Sequence, residues 1–227
     1  MQPFQIAQQG TSEYAIRQNR VLRNTYALLA LSMVPTVLGA MAGIQLNLPL
    51  FGGFMGFVLF MGVAFAFFWG IEKTKNSGMG VVLLLGFTFF MGLMLSGILR
   101  VALGFSNGGS LIAMAAGGTG TIFFVLSGIA ATSKRDFSNL GKFLLAGAIL
   151  LLIAMVANIF FQIPALALTI SALAVAIFSA FILYDISRIV QGGEDNYITA
   201  TLAVYLDVYN VFVHLLNLLM AFAGERD

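Results

Sequence analysis

The sequence predicts an all-α polytopic membrane protein with seven transmembrane helices. Three observations carry this. The 227 residues are 60% hydrophobic and only 9% charged, a composition far outside that of soluble globular domains. The charges divide the chain into long uncharged runs, 24–71, 76–99, 101–133 and 143–184, and a last run, 196–224, broken only by Asp207. Turn residues then cut the runs that are too long for one crossing, since a spanning helix needs about 20 apolar residues.

The first run holds two spans, 22–44 and 50–71, separated by "QLNLP" at 45–49, because Pro and polar residues mark helix ends. The second run gives 78–100. The third opens on the loop-like "VALGFSNGGS" and leaves 110–132. "FQIP" at 161–164 divides the fourth into 140–161 and 165–190, and the last span is 197–223. The domain plan is a cytoplasmic tail at 1–21, a transmembrane domain at 22–224 and a short external C-terminus at 225–227. Arg17, Arg20 and Arg23 before an apolar stretch and "AMA" (40–42) imitate a secretory signal, but so long a charged leader fits a retained first span better.

Basic residues set the expected orientation. With the N-terminus inside, nine of them (Arg17, Arg20, Arg23, Lys73, Lys75, Lys134, Arg135, Lys142 and Arg188) face the cytoplasm, and only Arg100 and Arg226 lie outside. The net charge of +2 therefore reports topology and gives no argument for nucleic-acid binding. The lack of cysteine excludes disulfides and thiolate metal sites. Residues 1–20 are Gln-rich and polar, which reads as a mobile tail, either a handle for a partner or only a tail.

Small residues recur four apart at Gly39 and Gly43, Gly52 and Gly56, Gly92 and Ser96, and Ala113, Gly117 and Thr121. Lipid gives helices no hydrophobic reason to associate, so close approach through small residues must hold the bundle together. No internal repeat is evident, which weighs against an inverted-repeat transporter.

The last span is the informative one. Steps of three and four pick out Ala200, Ala203, Asp207, Asn210, His214, Asn217, Ala221 and Gly224, all small or polar and all on one helix face. The opposite side shows Leu202, Leu206, Tyr209, Val213, Leu216 and Met220. Asn210 and Asn217 alone would suit a hydrogen-bonded packing seam. Asp207 does not, because an ionisable group in a span costs roughly 2.5–3.5 kcal/mol, and such groups mark ion or proton pathways. Its candidate partner is Asp185. The sixth and seventh spans are joined by "QGGEDN" (191–196), and both acids lie eleven residues from Asn196, hence at equal depth. A turn centred on Gly193 would offset them by roughly 9 Å. An i,i+3 ion pair of Asp185 with Arg188 is the competing arrangement.

The segments "FILYDISRI" and "AVYLDVYNVFVHLLNLL" resemble the two signature segments of the Bax-inhibitor, or transmembrane Bax inhibitor motif, family. "VLRNTYALLALSM", "AAGGTGTIFF", "RDFSNLGKFL", "MVANIFFQIPAL" and "QGGEDNYITAT" extend the likeness over essentially the whole chain and look most like the bacterial YccA-like branch. The resemblance implies a seven-helix fold with the C-terminal helix central, in a bacterial inner membrane. In channel-like members it implies that the acids matching Asp185 and Asp207 share a proton and control a slow, pH-dependent calcium leak. In the YccA-like branch it implies binding and modulation of the membrane AAA protease FtsH, engaged through the N-terminal tail. Channel-like members can carry a basic cluster with a gating arginine at the end of the second helix. Here "FFWGIEKTKN" places Glu72 and Lys73 there, so that latch does not carry over.

Two carboxyls in contact in a poorly solvated site cannot both ionise cheaply, and they titrate as a pair. With one proton shared, a hydrogen bond clips the last two helices together. With none, repulsion loosens them or recruits a cation. His214, on the same face, either adds a second step near neutral pH or simply donates a hydrogen bond. Asn158 in the fifth span either lines the same cavity or is a structural amide. Calcium takes 6–8 oxygens, so Asp185 and Asp207 suit only transient cation occupancy, and no other cofactor is expected. The leading expectation is a pH-sensitive cation leak, and the alternative is a modulator of FtsH without transport. An enzyme is not expected: neither a GxGD element nor HExxH is present, and there is one histidine.

Overall fold

The computed structural model describes residues 3–46, 53–133, 137 and 139–224. Residues 47–49 of the first turn, Gly52, Lys134, Arg135 and the C-terminal 225–227 lie outside the described residues. Seven helices follow in order: α1 (Pro3–Gln45), α2 (Gly53–Thr74), α3 (Gly78–Leu103), α4 (Gly108–Thr132), α5 (Leu140–Phe161), α6 (Pro164–Val190) and α7 (Tyr197–Gly224). Each contains a stretch long and apolar enough to cross a membrane. The protein is an all-α polytopic membrane protein.

The helix ends follow local chemistry. Gln162 takes a left-handed conformation (φ 52°) that stops α5, and Pro164 sits in the first turn of α6, where its missing N–H is no loss. After α6 the chain turns through Gly192 at φ 75°. Asn196 then caps α7, its side-chain oxygen accepting from the N–H groups of Ile198 (2.9 Å) and Thr199 (3.2 Å). The Asn196 amide nitrogen donates to Lys75 O (2.9 Å) and Asn76 Oδ1 (3.0 Å), which ties the α6–α7 turn to the α2–α3 turn. Nearby, Lys75 is held above the usual lysine pKa by its hydrogen bond to Glu72. Asn196→Ala is expected to cost about 1–2 kcal/mol in thermal unfolding, with Asn196→Asp recovering the capping part and not the tie.

The N-terminal segment differs from the expected tail. It is helical from Pro3 and runs unbroken into the first span. Ala, Gln, Glu and Arg are good helix formers, and extending an existing helix avoids the cost of nucleation.

Helix α7 packs against α1, α2, α3, α4 and α6, so it is central. Residues all round it are therefore buried, from Asp207 and His214 on the polar stripe to Leu216 and Met220 opposite. Tyr205, nearly fully buried, joins Thr36 of α1 through their hydroxyls at 2.9 Å, and the Tyr209 hydroxyl donates to Met91 O of α3 at 3.2 Å.

Helices α1 and α3 run parallel and in close contact. A methyl on Gly92 would stand 2.9 Å from the Thr36 carbonyl carbon and 3.0 Å from the Ala40 nitrogen, and one on Gly43 would meet Ser96 Oγ at 2.5 Å. These small-residue pairs are helix contacts. The expected seam Ala113, Gly117 and Thr121 is not: all three are exposed, and a side chain at Gly117 would enter open space. The buried face of α4 is instead Leu111, Ala115 and Thr119. In a bilayer, small residues facing lipid carry no penalty, so the same spacing occurs on both faces.

Candidate functional site: a carboxyl pair on the last helical hairpin

The turn capped by Asn196 returns α7 antiparallel along α6. Asp185 and Asp207 meet there with their carboxyl groups facing each other. Asp207 is 5% exposed, and among the described residues its Oδ2 has no hydrogen-bond partner, while Asp185 is half-buried. An ionised carboxylate only accepts hydrogen bonds, so a bond between two carboxyls requires a proton on one of them.

Among the described residues Arg188 forms no close ion pair with Asp185, although its charge acts on that carboxyl. Its guanidinium donates to Gly193 O (3.2 Å), pairs with Glu194 at 3.8 Å and lies 5.6 Å from the Tyr184 ring centre. The turn carries its own acid within reach, and the arginine at the end of α6 also faces the negative end of the helix dipole.

The rest of the stripe does not converge on the pair. Asn210 donates from Nδ2 to Leu206 O in its own helix at 2.8 Å. His214 lies two turns beyond Asp207, about 10 Å along the axis. Its Nδ1 meets Ser171 Oγ of α6 at 3.2 Å. Asn217 and Asn158 join His214 around a separate cleft of ≈ 250 Å³ between α5, α6 and α7. Asn158 also has a structural task, its Oδ1 accepting from Ile163 N–H at 2.9 Å where α5 ends. Sequence reasoning missed Ser171, because a serine among small and apolar residues carries no periodic signal.

Among the described residues no group of three or more acidic, histidine or cysteine side chains converges as a metal site. The residues that could touch a cation at the pair are Asp185 and Asp207, too few oxygens for a tight calcium site.

Comparison with known proteins places this geometry in context. The sequence model of the family described as inhibitor of apoptosis-promoting Bax1 matches residues 18–224. An Escherichia coli K12 protein named modulator of FtsH protease YccA is 43% identical over 88% of this chain and 90% of its own length. An uncharacterized Pseudomonas aeruginosa protein is 42% identical over 90% of each chain. An uncharacterized Neisseria meningitidis protein is 38% identical over 93% of this chain and 95% of its own. With a family match over most of its length and relatives this similar along their whole chains, the protein belongs to the Bax-inhibitor family.

Proposed function

We propose that this protein is a bacterial inner-membrane modulator of the protease FtsH, acting by binding and not by catalysis. The observation that carries this is the 43% identity, nearly end to end, with the relative named for that role. A second relative, in another E. coli strain, is named an inner membrane protein. The excess of Lys and Arg assigned to one side supports an N-terminus inside and a C-terminus outside. Helix α1 begins at Pro3, well ahead of the long apolar run that starts after Arg23, so its N-terminal part extends beyond the apolar stretch. That makes the helical segment from Pro3 onward the candidate arm for engaging the protease. The test is co-purification with FtsH from solubilised membranes, together with the rate at which FtsH degrades a membrane substrate. Full-length protein is expected to bind and slow degradation, and removal of residues 1–20 to abolish the slowing. Absence of binding by the full chain would overturn the proposal.

The carboxyl pair favours a second reading, compatible with the first: a pH-sensitive cation leak, calcium being the candidate ion, gated by Asp185 and Asp207. Its support is their buried contact on adjacent helices. Reconstituted protein is expected to pass calcium at a rate that varies between about pH 6 and 8, and Asp207→Asn to remove that variation. No flux at any pH would end this reading.

A further inference from the structure

The cleft around His214 belongs to neither functional reading. Helices α5 and α7 both pack on α6, and α2 packs on both α5 and α7, so these four helices form a ring. Where α5 ends, Phe54 of α2 and Phe160 of α5 stand with ring centroids 5.6 Å apart and bridge two of them. The cleft of ≈ 250 Å³ is bordered by polar groups from three helices: Asn158, Ser171, His214 and Asn217. Asn158 lies three residues from the end of α5 and His214 ten from the end of α7. His214 thus lies about 15 Å along α7 from the end of that helix.

These groups are not all satisfied by protein. Ser171 engages one imidazole nitrogen, and the Asn158 oxygen caps the α5–α6 turn. Among the described residues the Asn217 carboxamide has no hydrogen-bond partner, yet it is not one of the sealed, unpartnered groups, so it faces the cleft. An amide left bare in hydrocarbon costs several kcal/mol, and acyl chains offer it nothing. Water does, and the volume exceeds several times the ~30 Å³ share of one molecule. Among the described residues no lysine or arginine lines the cleft. These groups both donate and accept, so the sign is set by the absence of a fixed positive charge at the lining and by Asp207 further in on the same stripe of α7, which together favour a hydrated cation over an anion.

We propose that this cleft is a water-filled vestibule, open at the membrane face where α5 ends and α6 begins, that admits small hydrophilic cations as far as His214. The vestibule rests on neither the protease reading nor the leak reading, since hydration to this depth requires no through-flux.

The chain has no cysteine, so single thiols report position directly. Asn217→Cys and Ser171→Cys, in oriented membrane vesicles, are exposed from each side in turn to a membrane-impermeant cationic methanethiosulfonate and to its anionic analogue. The reference is Leu150→Cys, on the outward face of α5 at 66% exposure. The vestibule thiols are expected to react with the cationic reagent at least about tenfold faster than the reference, only from the face where α5 ends, and faster than with the anionic one. Size-exclusion profiles and complete labelling after denaturation confirm folded, reactive variants. Labelling no faster than the reference for both folded variants overturns the vestibule, and equal rates with the two reagents overturn its preference for cations.

Discussion

Gly92→Leu is expected to destabilise the bundle by about 3 kcal/mol, the upper end of the usual cost of overpacking. Even a methyl at this position would stand 2.9 Å from a backbone carbon of α1, and backbone cannot rotate out of the way as a side chain can. The parallel α1–α3 pair would have to separate. That would also strain the Tyr205–Thr36 and Tyr209–Met91 links by which α7 is held to the same two helices. Gly117→Leu is the matched comparison. It has the same residue type and the same four-residue spacing, but it faces open space. It is expected to cause no loss, with helix propensity alone gaining up to about 1 kcal/mol. Unfolding in mixed micelles by a denaturing detergent measures both, and equal losses would mean that α1 and α3 do not touch as described.

The second large effect concerns Asp207→Asn and its dependence on pH. While Asp185 and Asp207 share a proton, one carboxyl donates to the other. Once that proton leaves, two negative charges remain in contact, worth about 4 kcal/mol of repulsion at 4 Å and an effective dielectric near 20. The sign follows: the shared proton contributes stability at low pH, and this contribution is lost as the pH rises through the titration of the pair. An asparagine at 207 donates to Asp185 at any pH, so the variant's unfolding free energy is expected to stay flat from about pH 6 to 8 while the wild type falls. Parallel curves for the two proteins would show that the contact carries no shared proton.

Some structural signals survive in a membrane sequence and others do not. The seven spans were legible because desolvating a charge sets where a helix can cross, and helix ends fall within about three residues of the expected ones from α2 onward. The meeting of Asp185 and Asp207 was legible as one of two options, since a short turn makes depth a matter of counting. The outcome for Arg188 was not, because only the folded turn brings Glu194 and the Gly193 carbonyl to its guanidinium. Nor did spacing separate Asn158, Asn217 and His214 from the carboxyl pair: they share a polar character with it and yet border another cavity.

By itself, the amino-acid sequence determined that this chain is a bundle of seven membrane helices, and it offered Asp207 as one of two partners for Asp185. Both results follow from local rules, the cost of burying charge in hydrocarbon and the fixed rise of a helix. Only the tertiary structure decided which small-residue rows are contacts. Gly39, Gly43 and Gly92 hold α1 to α3, whereas Gly117 faces outward. The physical reason is that lipid and protein interior are equally apolar, so helix faces are sorted by shape, and shape appears only once the neighbours are in place.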